Sequence, residues 1–317
     1  MQRQFVQVSG GLTTRVLTLG TPITEAHHSA SALKRLILVI PGNPGLSSYY
    51  EDFMRTLYHG LDESVPVWAV GHFGHDLPPA TPSPSAASEL PNLSGHEAWY
   101  NLEGQIQHKI RFIEEFIPAN CHLTLVGHSI GCKMILEAMD RLATDRPHLR
   151  SYFLFPTIER MYQSPDGLRT WIMCAYLRWL VIVLTYCLRH MVPRAVLRRL
   201  IRFHMGDLAS DVCVDTTLDL IHPRVTRHAT YLAYTELLTV NELEVEKLRG
   251  VLPRIRFYFG TIDRWCPMEY CHQLKARLPQ ADVVICERKI EHAFVIHSSH
   301  EMGKILTQWY KDDHNMK

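Results

Sequence analysis

The chain has 317 residues, of which 21% are charged and 46% hydrophobic, and its 33 lysines and arginines nearly balance 32 acids for a formal net charge of +1. That length accommodates one large α/β domain with an insertion, and the near-neutral balance argues against a global role in binding nucleic acid. The eight cysteines include no Cys-x-x-Cys pair, Cys266 and Cys271 are too loosely spaced for a zinc knuckle, and the polar stretch 1–11 carries no apolar signal core, so free thiols in a reducing compartment are expected.

Residues 5–8 and 13–19 alternate in polarity around Gly10-Gly11 and predict an opening antiparallel hairpin. The unbroken apolar run 36–40 predicts a strand buried on both faces, and 65–70 repeats its character. Helical patterns follow at 47–58 and 99–117. Residues 77–94, rich in Pro, Ser and Ala, predict a surface excursion. Strands are expected at 123–126 and 152–155, with a helix at 130–142 between them. The stretch from about 156 to 247 lacks strand–helix alternation and is expected to be helical. Alternation then resumes with a strand at 255–259, a helix near 268–278, a strand at 283–286 and a last helix at about 300–310. Strands alternating with helices imply a mostly parallel sheet covered on both faces. The expected division is a core in two parts, 1–155 and 251–317, interrupted by an inserted helical lid at 156–250.

Gly127-His128-Ser129-Ile130-Gly131 sits directly behind the apolar run 123–126. A Gly-x-Ser-x-Gly pentapeptide at the end of a buried strand is the pattern of a nucleophile elbow, which exposes a serine hydroxyl at the carboxyl edge of the sheet. A serine hydroxyl is a poor nucleophile at neutral pH without an imidazole to take its proton. The imidazole in turn needs a carboxylate to fix its tautomer. Asp263 follows the strand ending at 260, and His292 follows the strand ending near 286, so both are expected at the edge to which Ser129 belongs. Asp263 competes with a plain helix-capping role and with Asp282, and His292 competes with His297 and His300. For the oxyanion, the amide of Ile130 is one expected donor. The second is sought in Pro41-Gly42-Asn43-Pro44-Gly45, where the prolines have no N–H and Asn43 is the natural candidate. A rigid proline turn without a catalytic part is the competing reading. His72 and His75 lack an evident third metal ligand and are expected to line the rim of the site. The other cysteines are expected to be buried small hydrophobes.

The segment 171–192 is unusually apolar, with Arg178 near its middle. Its uninterrupted part is expected to be too short to cross a bilayer. Between 165 and 205 lie seven arginines, no lysine and one acid, a local charge of +6 that leaves −5 for the rest. Arginine interleaved with apolar residues on a helix suits a lipid interface, where guanidinium snorkels to phosphate. A lid helix pair with its arginines facing water is the alternative.

These motifs together resemble the lipid droplet-associated hydrolases, a branch of the α/β-hydrolase superfamily. The resemblance rests on Ile40-Pro41-Gly42-Asn43-Pro44-Gly45, Gly104-Gln105-Ile106 with His108-Lys109, the pentapeptide around Ser129, and Leu154-Phe155-Pro156-Thr157-Ile158-Glu159-Arg160-Met161. Gly260-Thr261-Ile262-Asp263 with Trp265-Cys266-Pro267, and His292-Ala293-Phe294, complete it. It implies an α/β-hydrolase fold, Ser129 as nucleophile with Asp263 and His292 as its partners, and a serine carboxylic ester hydrolase. The implied substrates are sterol esters or related neutral lipid esters, in cholesterol and triglyceride homeostasis. No metal or organic cofactor is implied. The implied location is the cytosolic face of lipid droplets and endoplasmic reticulum, reached here through 171–203. Two further readings stay open: a droplet-binding regulatory protein with little turnover, and an acyltransferase using the same triad.

Overall fold

The computed structural model describes residues 1–28, 33–77 and 91–316. Most of the excursion expected at 77–94 lies outside the described residues. The strands are β1 (Gln2–Val8), β2 (Leu12–Leu19), β3 (Arg35–Ile40), β4 (Val67–Val70), β5 (His122–His128), β6 (Arg150–Leu154), β7 (Ile255–Gly260) and β8 (Asp282–Cys286). They form one sheet in the order β1-β2-β4-β3-β5-β6-β7-β8. The hairpin β1–β2 turns through Gly10 and Gly11, both at positive φ, and β2 runs antiparallel to β4. From β4 to β8 every pairing is parallel.

The apolar run in β3 explains why the sheet is a middle layer. Successive strand residues point to opposite faces, and Leu36 through Ile40 are all at most 1% exposed. Both faces of the sheet are therefore covered. Helix Glu51–Gly60 packs on Ser299–Asp313, and Leu102–Phe116 on Ile130–Leu142. The strand-to-helix turn after β5 projects Ser129 from the carboxyl edge of the sheet, where the loops after β3, β7 and β8 also end.

All regular elements between 161 and 251 are helical. The longest, Pro165–Met191, runs 27 residues without a break and passes through a π turn at Met173–Leu177. Ser164 starts it by accepting the Gly167 amide, with Pro165 at the first helical position, where a missing N–H costs nothing. At about 40 Å the helix is long enough to cross a membrane. The expectation from sequence concerned only the uninterrupted apolar part; the polar residues that interrupt that run do not interrupt the helix. Arg178, however, lies over the rings of Tyr231 and Tyr234 at 5.7 and 5.8 Å. Its charge is turned toward helix Pro223–Thr239, on which this helix packs.

The next helix, Arg194–Met205, buries Leu197 and Ile201 against Val214 and Leu218. Arg198 pairs with Asp211 and Asp215, and Arg202 with Asp211. Part of the local positive charge counted in the sequence is thus answered by acids just outside the counted window.

Candidate active site

Ser129 occupies φ 54° and ψ −123° between β5 and helix Ile130–Leu142. A residue with a Cβ rarely adopts this conformation, which the surrounding structure must enforce. Enforcement is visible: the Ser129 amide donates to the Leu154 carbonyl at 3.0 Å, and the Ser129 carbonyl accepts from Cys132 at 3.0 Å. Gly131 is required because a Cβ there would lie 2.3 Å from the Ile40 carbonyl oxygen.

Three residues remote in sequence meet at this turn. His292 Nε2 lies 2.8 Å from Ser129 Oγ, and its Nδ1 lies 2.7 Å from Asp263 Oδ2. A carboxylate can only accept, so Nδ1 carries the proton and Nε2 is free to receive the serine hydrogen. Asp263 is itself held: Oδ1 accepts the Trp265 and Cys266 amides at 2.7 and 3.1 Å, and Oδ2 accepts the Cys266 thiol at 2.9 Å. Burial works against ionisation of Asp263, but the charge and hydrogen bond of His292 outweigh it and hold the carboxyl below its ordinary range. The competing residues are engaged elsewhere. His297 Nε2 bonds the Met205 carbonyl, His300 bonds Thr56, and Asp282 pairs with Arg256.

A second, directional chain ties the loop after β3 to the imidazole. Gly42 donates its amide to Tyr50 Oη at 2.8 Å, Tyr50 Oη lies 2.6 Å from His128 Nδ1, and His128 Nε2 lies 2.8 Å from the His292 carbonyl oxygen. That carbonyl can only accept, so Nε2 bears the proton and Nδ1 accepts from the tyrosine hydroxyl. Burial first, and then the neighbouring His292, lowers the His128 pKa to about 3, so it stays neutral. The sequence draws attention to Ser129 and treats His128 as the variable position of the pentapeptide. The structure uses His128 and Tyr50 to set the distance between two loops. Thr157, also unassigned from sequence, brings Oγ1 within 3.5 Å of Ser129 Oγ.

Gly42 packs so closely on Ser129 that a Cβ there would lie 2.9 Å from Ser129 Cβ. The loop that carries Asn43 therefore lies against Ser129, which Ile130 follows in the chain. The Ile130 amide opens its helix and has no intrahelical acceptor, and the Asn43 amide has no hydrogen-bond partner among the described residues. The Asn43 side chain is anchored by helix Pro223–Thr239: Nδ2 donates to the Ala229 carbonyl at 3.0 Å and to Glu236 Oε1 at 3.3 Å. His72 and His75 are fully buried beneath this loop and do not line the rim, which corrects the expectation. His75 Nδ1 bonds the Pro44 carbonyl, and His72 donates its amide to the Gly45 carbonyl at 2.9 Å. The rim position fails because the loop after β4 folds under the Asn43 loop.

Ser129 and His292 open onto a cavity of about 400 Å³ with mainly apolar walls, among them Leu46, Met161, Met173, Leu220 and Ile296. Among the described residues, the one group of potential metal ligands within 4.8 Å of one another is Asp263, Cys266 and His292, which are already bonded to each other. All eight cysteines are free. Cys187 is half-buried and not fully buried as expected, because it lies on the exposed helix Pro165–Met191. Cys266 has a more specific contact than a buried hydrophobe, donating to Asp263.

Residues 33–295 match the family model described as lipid-droplet associated hydrolase. The chain is 36% identical to human lipid droplet-associated hydrolase over 99% of its own length and 96% of that protein. It is 35% identical to the Drosophila melanogaster protein of the same name, over 96% and 97% respectively. Among solved structures, it resembles a bromoperoxidase from Bacillus anthracis (TM-score 0.62, 13% identity, 98% of this chain and 100% of that one). It also resembles a Nitrososphaera carboxylesterase (TM-score 0.62, 15% identity, 98% and 99%). These two activities differ, so the structural likeness speaks for a shared α/β-hydrolase frame. On the sequence match across nearly its whole length, the chain belongs to the lipid droplet-associated hydrolase family.

Proposed function

We propose that the protein is a serine hydrolase of neutral lipid esters, sterol esters among them, working on the surface of lipid droplets and the cytosolic face of the endoplasmic reticulum. The observation that carries this reading is the unbroken Asp263–His292–Ser129 hydrogen-bond chain at the floor of an apolar cavity. Ser129 Oγ attacks the ester carbonyl as His292 Nε2 takes its proton, and Asp263 stabilises the imidazolium. The negative charge on the carbonyl oxygen is met by the Asn43 and Ile130 amides. His292 then protonates the departing alcohol, leaving the acyl group on Ser129. Water, deprotonated by the same imidazole, releases the fatty acid and restores the serine.

Among the described residues, no lysine or arginine lines the cavity, which favours an uncharged ester over an anionic one. The helical region 156–250 acts in this reading as the lid between two core parts, 1–155 and 251–317. The lipid contact is made by 171–203. Fifteen of the nineteen large hydrophobic side chains exposed among the described residues fall between Tyr162 and Leu208, a concentration typical of an interaction surface.

A fluorophosphonate probe tests the nucleophile. The wild-type protein is expected to be labelled at Ser129, and Ser129→Ala to lose both labelling and ester hydrolysis. Undiminished labelling of the variant would move the nucleophile elsewhere.

A further inference from the structure

Glu236 is an acid where none is needed for the triad. It lies on helix Pro223–Thr239, is 2% exposed, and lines the same cavity as Ser129 and His292. Its Oε1 accepts from Asn43 Nδ2 at 3.3 Å, while the other hydrogen of that amide is taken by the Ala229 carbonyl, two turns earlier on the same helix. The helix thus holds the Asn43 side chain, while the Asn43 backbone N–H has no hydrogen-bond partner among the described residues. The remaining backbone of the loop is held by others: Gly42 by Tyr50, Pro44 by His75, Gly45 by His72. Asn43 alone depends on the helical region.

We propose that Glu236 is a positioning residue of the oxyanion site, holding Asn43 so that its main-chain amide faces the substrate carbonyl oxygen. The inference rests on the reading of Ser129 as nucleophile and Asn43 as oxyanion donor, and adds the residue that makes that donor dependable.

The role requires the uncharged acid. An ionised carboxylate buried without a cation is strongly disfavoured, and here it would stand beside the oxyanion that the site must stabilise. The titratable groups that line the cavity with Glu236 are His292, His128, Tyr49 and Tyr50, and burial pushes both tyrosine hydroxyls up. On helix segment Met173–Leu177, the Cys174 thiol also feels its charge. Burial, then the neighbouring His292, holds His128 neutral, and burial, then Glu236, raises the Cys174 thiol to about 12. Burial raises Glu236 itself to about 8, opposed only in part by the Asn43 bond. The acid is therefore uncharged at neutral pH, and its loss of a proton as pH rises through about 8 is expected to slow the reaction.

The saturable rate of Ser129 modification by a fluorophosphonate, which also passes through an oxyanion-like state, tests this on the full-length protein from pH 6 to 10. Glu236→Met is expected to lower the maximal labelling rate by about tenfold to a hundredfold, a fraction of a full oxyanion donor, with the half-saturating probe concentration little changed. Glu236→Gln, whose amide oxygen accepts the same bond, is expected to recover most of that loss and to lack the alkaline decline seen in wild type. Thermal unfolding of each variant separates this from a folding defect, because a merely structural role would not abolish the alkaline limb. If Glu236→Met is labelled at the wild-type rate, or Glu236→Gln keeps the wild-type decline, the inference fails while Ser129 stands. If wild type is not labelled at Ser129 at all, the wider reading fails with it.

Discussion

Ser129 sits in a backbone conformation that costs roughly 1–3 kcal/mol, so its neighbours must hold it rather than merely surround it. The chain Gly42–Tyr50–His128–His292 does comparable work for the two loops beside it. Removing the tyrosine hydroxyl leaves two buried groups, the Gly42 amide and His128 Nδ1, without partners. Tyr50→Phe is expected to lower stability by about 1–3 kcal/mol and to slow Ser129 labelling by about tenfold, read by urea unfolding and probe kinetics. A variant as stable and reactive as wild type would show that this chain does not set the loop spacing. The residues that a sequence reader can nominate, Ser129, Asp263 and His292, each follow an apolar strand and stand out by position. Glu236 does not. In sequence it is an acid on a helix of mixed polarity, a pattern that reads as a solvated face, and only the packing of that helix over the Asn43 loop buries it.

At the scale of elements, local pattern was enough where burial is symmetrical. The helix expected at 130–142 has those bounds in the structure, and the run 36–40 lies inside β3. Pattern was insufficient for Pro165–Met191, whose two faces have different work. Its inner face gives Thr170 and Met173 to the cavity wall and buries Cys174, while Tyr176, Trp179 and Val183 are 68%, 65% and 49% exposed. Each of these outer side chains gains about 1.5 kcal/mol or more on leaving water. The triple change Tyr176→Ser, Trp179→Ser, Val183→Ser is therefore expected to weaken binding to phospholipid-coated oil droplets by about a hundredfold or more. Flotation assays would measure this, with hydrolysis of a dispersed short-chain ester as the control for folding. Retained flotation would assign droplet contact to another surface. The same double use warns against deleting 171–203 outright, since that would remove Met173 from the cavity wall along with the exposed face.

For the whole molecule, the decisive feature is that the exposed apolar surface and the cavity share one helix. Under the proposed function, a lipid ester would pass from a droplet to Ser129 along this helix, and contact with lipid would act on the wall of the site. Hydrolysis of an ester is expected to rise steeply once its concentration exceeds solubility and an interface forms, measured by fatty-acid release across that limit. A smooth saturation curve through the limit would separate the surface from the site. The amino-acid sequence alone determined the sheet, the turn at Ser129 and the chain order of Ser129, Asp263 and His292, because apolar periodicity and tight turns are local properties of a chain. Only the tertiary structure decided that His128 bridges two loops, that Arg198 and Arg202 are answered by Asp211, and that Glu236 stands behind Asn43. Those facts depend on which faces of distant helices meet, and periodicity along the chain carries no record of the partner.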